Sequence, residues 1–190
     1  MNANVGMVYP VAAPVSAYTP GTSITYSAGS NFAEAVSASV SWDRVDGHFY
    51  GDDVELDSDN GVRGYTITFE PSGLNAAARA LLLGEVKGSG SDYTITDAPA
   101  PDVGFGYIRV MRDEGVVNYE AWWYHKVKFG VTSEETRTKE RDVEWRVPTL
   151  EGTGAGVSLD ATGVAAFAVH ETLTTLAAAK TWLNTKAGIT

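Results

Sequence analysis

Cysteine is absent from the chain, and histidine occurs only three times. The first absence excludes a disulfide framework, a thiolate zinc site and a thiol nucleophile, and it fits a protein folded in a reducing cytoplasm. No apolar run is long enough to span a bilayer. The opening "MNANVGMVYPVAAPV" also lacks the basic start and continuous apolar stretch of a signal peptide, so a soluble, unexported protein without a membrane partner is expected. Basic residues are scarce as well: 14 against 24 acidic ones leave a formal charge of −10. Such a chain repels phosphates on average, which argues against tight, sequence-independent binding of nucleic acid. The same acidity also serves solubility.

Catalytic signatures are missing too. "GTGAG" at 152–156 lacks the lysine and Ser/Thr of a phosphate loop and reads as a hinge or turn. There is no G-x-S-x-G elbow. His48, with Asp52, Asp53, Asp57 and Asp59, is the densest candidate for acid/base or metal chemistry. An EF-hand reading of "DSDNG" fails, because its glycine comes one position early and Thr68 stands where the loop's terminal Glu belongs. A solvated acidic loop is the simpler account. His125 reads as a core histidine, and His170 has no evident acidic or nucleophilic partner. No enzyme, cofactor or metal is expected.

What the chain does have is apolar material: 44% of its 190 residues are hydrophobic, enough for the core of one domain covering 1–190. Residues 1–31, punctuated by Pro10, Pro14, Pro20, Gly21 and Gly29, read as an extended N-terminal arm or edge strand. From 32 to 42 the apolar residues Phe32, Val36, Ala38, Val40 and Trp42 fall on even positions, the pattern of a half-buried strand. "VRGYTITFE" alternates in the same way. In "PSGLNAAARALLLG" a helix is expected, capped by Ser72 or Asn75, striped by Ala77, Ala78, Leu81 and Leu82, and stopped at Gly84. Further strands are expected at "DYTITD", "GFGYIRVMRD", 118–129, 142–150 and 166–171, and a threonine-capped helix over 175–185. The sum is a mainly β (α+β) chain: an antiparallel sandwich or barrel with one helix on it, a short C-terminal helix and long loops.

The sharpest feature is "NYEAWWYHKVKFG", which sets two tryptophans side by side in a strand. Successive strand residues point to opposite faces. Tyr119, Ala121, Trp123, His125, Val127 and Phe129 form a core face; Glu120, Trp122, Tyr124, Lys126 and Lys128 form the other. That second face suits cover by another protein chain, or by a helix or loop of the same subunit. Residues 130–142 then make a long charged loop, in which Glu134, Glu135, Arg137, Lys139, Glu140 and Arg141 offer contacts across a junction. A ligand-binding reading is also open, with Trp122, Tyr124 and Trp145 as a carbohydrate-stacking platform.

The order of these pieces resembles a known family. "VGMVYPVAA" opens the chain, "YGDDVELDSDNG" follows a strand, and the "GLNAAARALLLG" helix comes next. "WWYHKVKF", a Thr/Lys loop and "VEWRVPTLEG" then lead to an Ala-rich "AAAKTWLNT" end. Together they resemble the major tail protein, or tail tube protein, of long non-contractile tailed bacteriophages. The resemblance implies a β-sandwich subunit that closes into hexameric rings. The rings stack into a hollow tube, with tape-measure, tail-tip and terminator proteins as partners. Double-stranded DNA passes through the lumen without specific binding. It implies a virion location after assembly in the host cytoplasm. Trp122, Tyr124, Lys126 and Lys128 become subunit-interface candidates, and the charged residues of 134–141 become inter-ring candidates. Asp52, Asp53, Glu55, Asp57 and Asp59 become lumen or ring-contact candidates.

Overall fold

The computed structural model describes residues 3–52, 54–133 and 147–189. Its strands run β1 (Ala3–Thr19), β2 (Ser23–Tyr26), β3 (Ser30–Asn31), β4 (Ala35–Arg44), β5 (Gly47–Gly51), β6 (Val54–Asp59) and β7 (Val62–Pro71). After helix α1 (Ala76–Leu83) come β8 (Val86–Lys87), β9 (Tyr93–Thr94), β10 (Val103–Asp113), β11 (Val116–Ser133), β12 (Thr149–Ala155), β13 (Val157–Ser158), β14 (Ala165–Ala166) and β15 (Ala168–Leu173). Helix α2 (Leu176–Ala187) follows. The chain is mainly β, built on one large antiparallel sheet. Its strand order is β2-β1-β10-β11-β12-β7-β4, with β3 added to β1 and β15 to β11.

That sheet is not flat. Neighbouring strands lie about 4.8 Å apart, so β7 and β10, three steps apart, would be separated by roughly 14 Å in a plane. Yet the rings of Phe69 and Phe105 meet at 5.2 Å. The sheet therefore curls and encloses a core of Phe32, Tyr65, Ile67, Phe69, Phe105, Tyr107, Tyr124, Phe129 and Leu150. Helix α1 closes this core with Ala78 and Leu82. Asn75 Oδ1 accepts from the Ala78 amide at 2.8 Å, and Gly84 ends the helix in the left-handed conformation (φ 75°), as its sequence leads one to expect. The buried stripe is Ala78 and Leu82, backed by Leu74 and Leu81, whereas Ala77 is exposed.

A second, smaller core lies on the opposite side of β1, β10, β11 and β15, under α2. Val11, Ala13, Ile108, Ala121 and Trp123 of the sheet meet Ala179, Leu183 and Ala187 of the helix. The helix starts at Thr175, whose side chain accepts from the Ala178 amide. It spaces Leu176, Ala179, Leu183 and Ala187 along one stripe.

Several sequence expectations are corrected here. The N-terminal stretch is no arm or edge: β1 pairs with β10 on one side and with β2 and β3 on the other, and Val11, Ala12 and Ala13 are fully buried. Pro10 is tolerated because it falls in an irregularity between Val8 and Val11. "EGTGAG" is no hinge. It supplies most of β12, where Gly152 and Gly154 lie opposite Phe129 and Val127 on β11 and Ile67 and Tyr65 on β7. A Cβ on Gly152 would come within 2.6 Å of the Phe129 ring, so glycine makes the room that the large side chains fill. Of the strand expected over 142–150, residues 142–146 lie outside the described residues, and Thr149 and Leu150 open β12. The long loop starts later than 130, because Gly130–Ser133 extend β11 and pair with β12.

The most consequential correction concerns the faces of β11. Val103 pairs with Val127 but Phe105 with Tyr124, so β11 carries one extra residue, a bulge at 125–126. The alternation changes phase there. Before it, Ala121 and Trp123 face α2; after it, Val127 and Phe129 join Tyr124 in the curled core. At the same point β11 changes partner, from β15 (Tyr119 to Tyr124) to β12 (Val127 to Ser133). The freed His125 amide donates to the Phe167 carbonyl at 3.1 Å.

Candidate functional site

The interface candidates Trp122, Tyr124, Lys126 and Lys128 do not share one exposed face. Tyr124 is fully buried within its own chain, among Tyr65, Tyr107 and Phe105, so it cannot contact a partner subunit. Burial, then the neighbouring Tyr107, pushes its hydroxyl well above the ordinary tyrosine range. Lys126 lies in the bulge and Lys128 beyond it, away from the buried Val127 and Phe129. Both reach Asp102, at 3.3 and 3.7 Å, and Lys126 Nζ also lies 5.4 Å from the Tyr18 ring. Of the carbohydrate-stacking candidates Trp122, Tyr124 and Trp145, Tyr124 is buried and Trp145 lies outside the described residues.

Trp122 is different. It is half-buried at the rim of the curled core, in a cross-strand row with Tyr107 of β10 and His170 of β15. His170 stacks on the indole at 4.4 Å, nearly parallel, and the Arg109 guanidinium carbon lies 4.6 Å from the ring centroid. Two groups that close cannot share one face of a ring, so the strand order places them on its two sides. Glu120 ties the group together. It accepts from Trp122 Nε1 at 2.7 Å and lies 3.8 Å from Arg109 Nη1 and 3.5 Å from His170 Nδ1. Arg109 Nη2 donates to the Tyr107 hydroxyl at 3.1 Å, which in turn approaches the Tyr124 hydroxyl at 3.4 Å. Burial works against the charge on Arg109, but Tyr107, Tyr124 and Glu120 outweigh it and hold the guanidinium protonated.

His170 thus has the acidic partner that sequence reading did not find. Glu120 and His170 are 50 positions apart, and only the β11–β15 pairing brings them together. Arg109 was missed for the same reason. A charged residue in the middle of "GFGYIRVMRD" gives no sign that its neighbour across the strand is Glu120. Chemically the cluster is a half-buried aromatic ring fixed between cationic or polar groups. Charge-assisted contacts of this kind lock side chains in place.

His125, by contrast, is a satisfied core histidine. The Tyr26 hydroxyl lies 3.3 Å from its Nδ1 and donates to its carbonyl at 2.9 Å. Burial, helped by Lys186, lowers its pKa to about 4. Burial raises Tyr26 to about 12, an effect the adjacent Trp123 indole partly offsets. The Tyr26 and Trp123 rings pack edge-on at 5.1 Å, and the Trp123 indole N–H meets no acceptor in hydrogen-bond geometry among the described residues.

The acidic candidates fall on a hairpin of their own. β5 and β6 pair only with each other among the described residues, Asp52 is exposed at the turn with φ 50°, and Glu55, Asp57 and Asp59 belong to β6. Asp53 lies outside the described residues. His48 Nε2 lies 2.9 Å from Asp46 Oδ1. Among the described residues no group of His, Asp and Glu is arranged to hold a metal ion. The inter-ring candidates Glu134, Glu135, Arg137, Lys139, Glu140 and Arg141 also lie outside the described residues. No helix of the described residues is long and apolar enough to cross a membrane. No protein-family model matches the chain, and no curated protein matches it.

Proposed function

We propose that the chain is a structural, non-enzymatic subunit that assembles with copies of itself into stacked hexameric rings, the tail tube of a long-tailed bacteriophage. The sequence resemblance suggests this role, and the rim around Trp122 is the observation that carries it. A large aromatic side chain is held by Glu120, Arg109 and His170 yet stays only half-buried. Preordered Trp and Arg side chains of this kind give association energy at little entropic cost. In this reading the contact surface is Trp122 with Arg109 and His170, not the four-residue face read from the alternating pattern.

The acidity fits the same role. Six copies in a ring would carry six times the formal −10. A bore lined by even part of that charge repels a DNA duplex, so the genome slides without binding. The β5–β6 hairpin, with Asp52, Glu55, Asp57 and Asp59, is the proposed lumen element, and the charged residues 134–141 are the proposed bridge between rings. Tape-measure, tail-tip and terminator proteins would be the other partners, in a virion tail assembled in the host cytoplasm.

Negative-stain and cryo-electron microscopy of the purified chain, across concentration and salt, tests this. Hollow tubes or six-fold rings with the β5–β6 hairpin on the bore are expected. Monomers at every concentration, with or without a tail-tip nucleus, would remove the proposal; a hairpin on the outer wall would remove its lumen role.

A further inference from the structure

Helix α2 rests on a less settled seat than α1, and two unfavourable features meet there. Tyr9 has a φ of 59°, a left-handed backbone for a ring-bearing residue that directly precedes Pro10, where extended backbone is favoured. It lies in the irregular part of β1 between Val8 and Val11. Its hydroxyl donates to Asn184 Oδ1 at 3.0 Å, and Lys180 Nζ lies 4.8 Å from its ring. Both partners belong to α2. The second feature is the Trp123 indole N–H, buried under the same helix without a well-aligned acceptor. Against these, α2 buries only one large side chain completely, Leu183; the other fully buried ones are Ala179 and Ala187.

We infer that α2 is a clasp that opens from the sheet as a unit while the curled sheet stays folded, and that Tyr9 is the hook that sets how often it opens. The left-handed backbone at Tyr9 persists because Asn184 and Lys180 hold its side chain. When α2 lifts, residues 8–11 relax towards ordinary extended strand, and the Trp123 N–H reaches water. One motion relieves both features, so together they lower the free energy of local opening. The curled core has no such release, since its rings interlock across β7, β10 and β11.

Native-state hydrogen exchange on the full chain, read by mass spectrometry and corrected for intrinsic rates, tests the clasp. Amides of α2 should exchange about 100-fold or more faster than those at the centre of β10, through an opening that leaves β7 and β10 protected. Tyr9→Phe keeps the ring and deletes the hydroxyl, and should lower α2 protection by a further factor of about five to ten. β7 and β10 should not change. Equal exchange of α2 and β10 in the unaltered protein would overturn the inference, and that comparison needs no variant. A Tyr9→Phe effect spread evenly over all elements, or absent from α2, would remove Tyr9 as the hook.

Discussion

The two sides of β11 are filled by different means. On the α2 side, Trp123 enters a seat cut to its shape by glycine: a Cβ on Gly104 would come within 2.3 Å of its ring, and one on Gly106 within 2.7 Å. Small side chains from α2 and β1 finish that seat. On the other side, ring meets ring, from Phe69 and Phe105 through Tyr124 out to Trp122 at the rim. One side thus holds a single fully buried ring, flanked by Tyr26, in a seat that glycine opens; the other is a network of rings grading into charge. Adjacent tryptophans are compatible with one strand because each belongs to a different layer, and only one layer is closed.

The comparison breaks most visibly at Trp123. Trp123→Ala removes a fully buried indole from a seat that nothing nearby can refill, and should cost roughly 3–5 kcal/mol in urea unfolding. A loss below about 1 kcal/mol would mean the seat collapses or is already open.

His125 comes next, since it sits where β11 changes face. Its folded pKa, about 4, is below the usual 6.5, so as pH falls the unfolded chain takes up the proton first. Its contribution is complete above about pH 6.5 and is lost towards pH 4, amounting to as much as about 3 kcal/mol. Unfolding free energies across that range should slope downward with acid, and His125→Gln should flatten part of the slope. An unchanged slope would place His125 in a wetter setting.

Glycine sharpens the contrast at a smaller scale. Gly104→Ala should cost about 1–3 kcal/mol by overfilling the Trp123 seat. Gly6→Ala, where a Cβ would meet nothing within 4 Å, should stay within about 0.5 kcal/mol. Similar melting temperatures for the two variants would contradict the shape argument. Trp122→Ala should cost about 1 kcal/mol or less, far below the loss at Trp123, because the side chain is only half-buried.

Much of this was legible in the sequence where the signal is local. Asn75, Gly84 and Thr175 mark helix ends by chemistry that depends on a few neighbouring residues, and β7 shows a clean alternation. What was not legible depends on residues far away. The bulge at 125–126 leaves no mark, because "WYHKVKF" alternates just as well without it; its cause is the change of partner from β15 to β12. Gly152 and Gly154 look like turn residues until Tyr65 and Phe129 are seen to need their space. Pro10 and Pro14 made β1 look peripheral, yet Pro10 falls in a strand irregularity, and the Pro14 carbonyl accepts from Ser27. The candidate site divides in the same way: Trp122 could be picked out alone, but Arg109, Glu120 and His170 join it only through pairing register.

The most direct measurement is sedimentation of the unaltered chain and Trp122→Ala side by side over a concentration series, with circular dichroism to verify folding. The account predicts that the unaltered chain forms rings or tubes while the variant, equally folded, stays monomeric or assembles at least about tenfold less readily. Equal assembly of the two would contradict the central role given to the Trp122 rim.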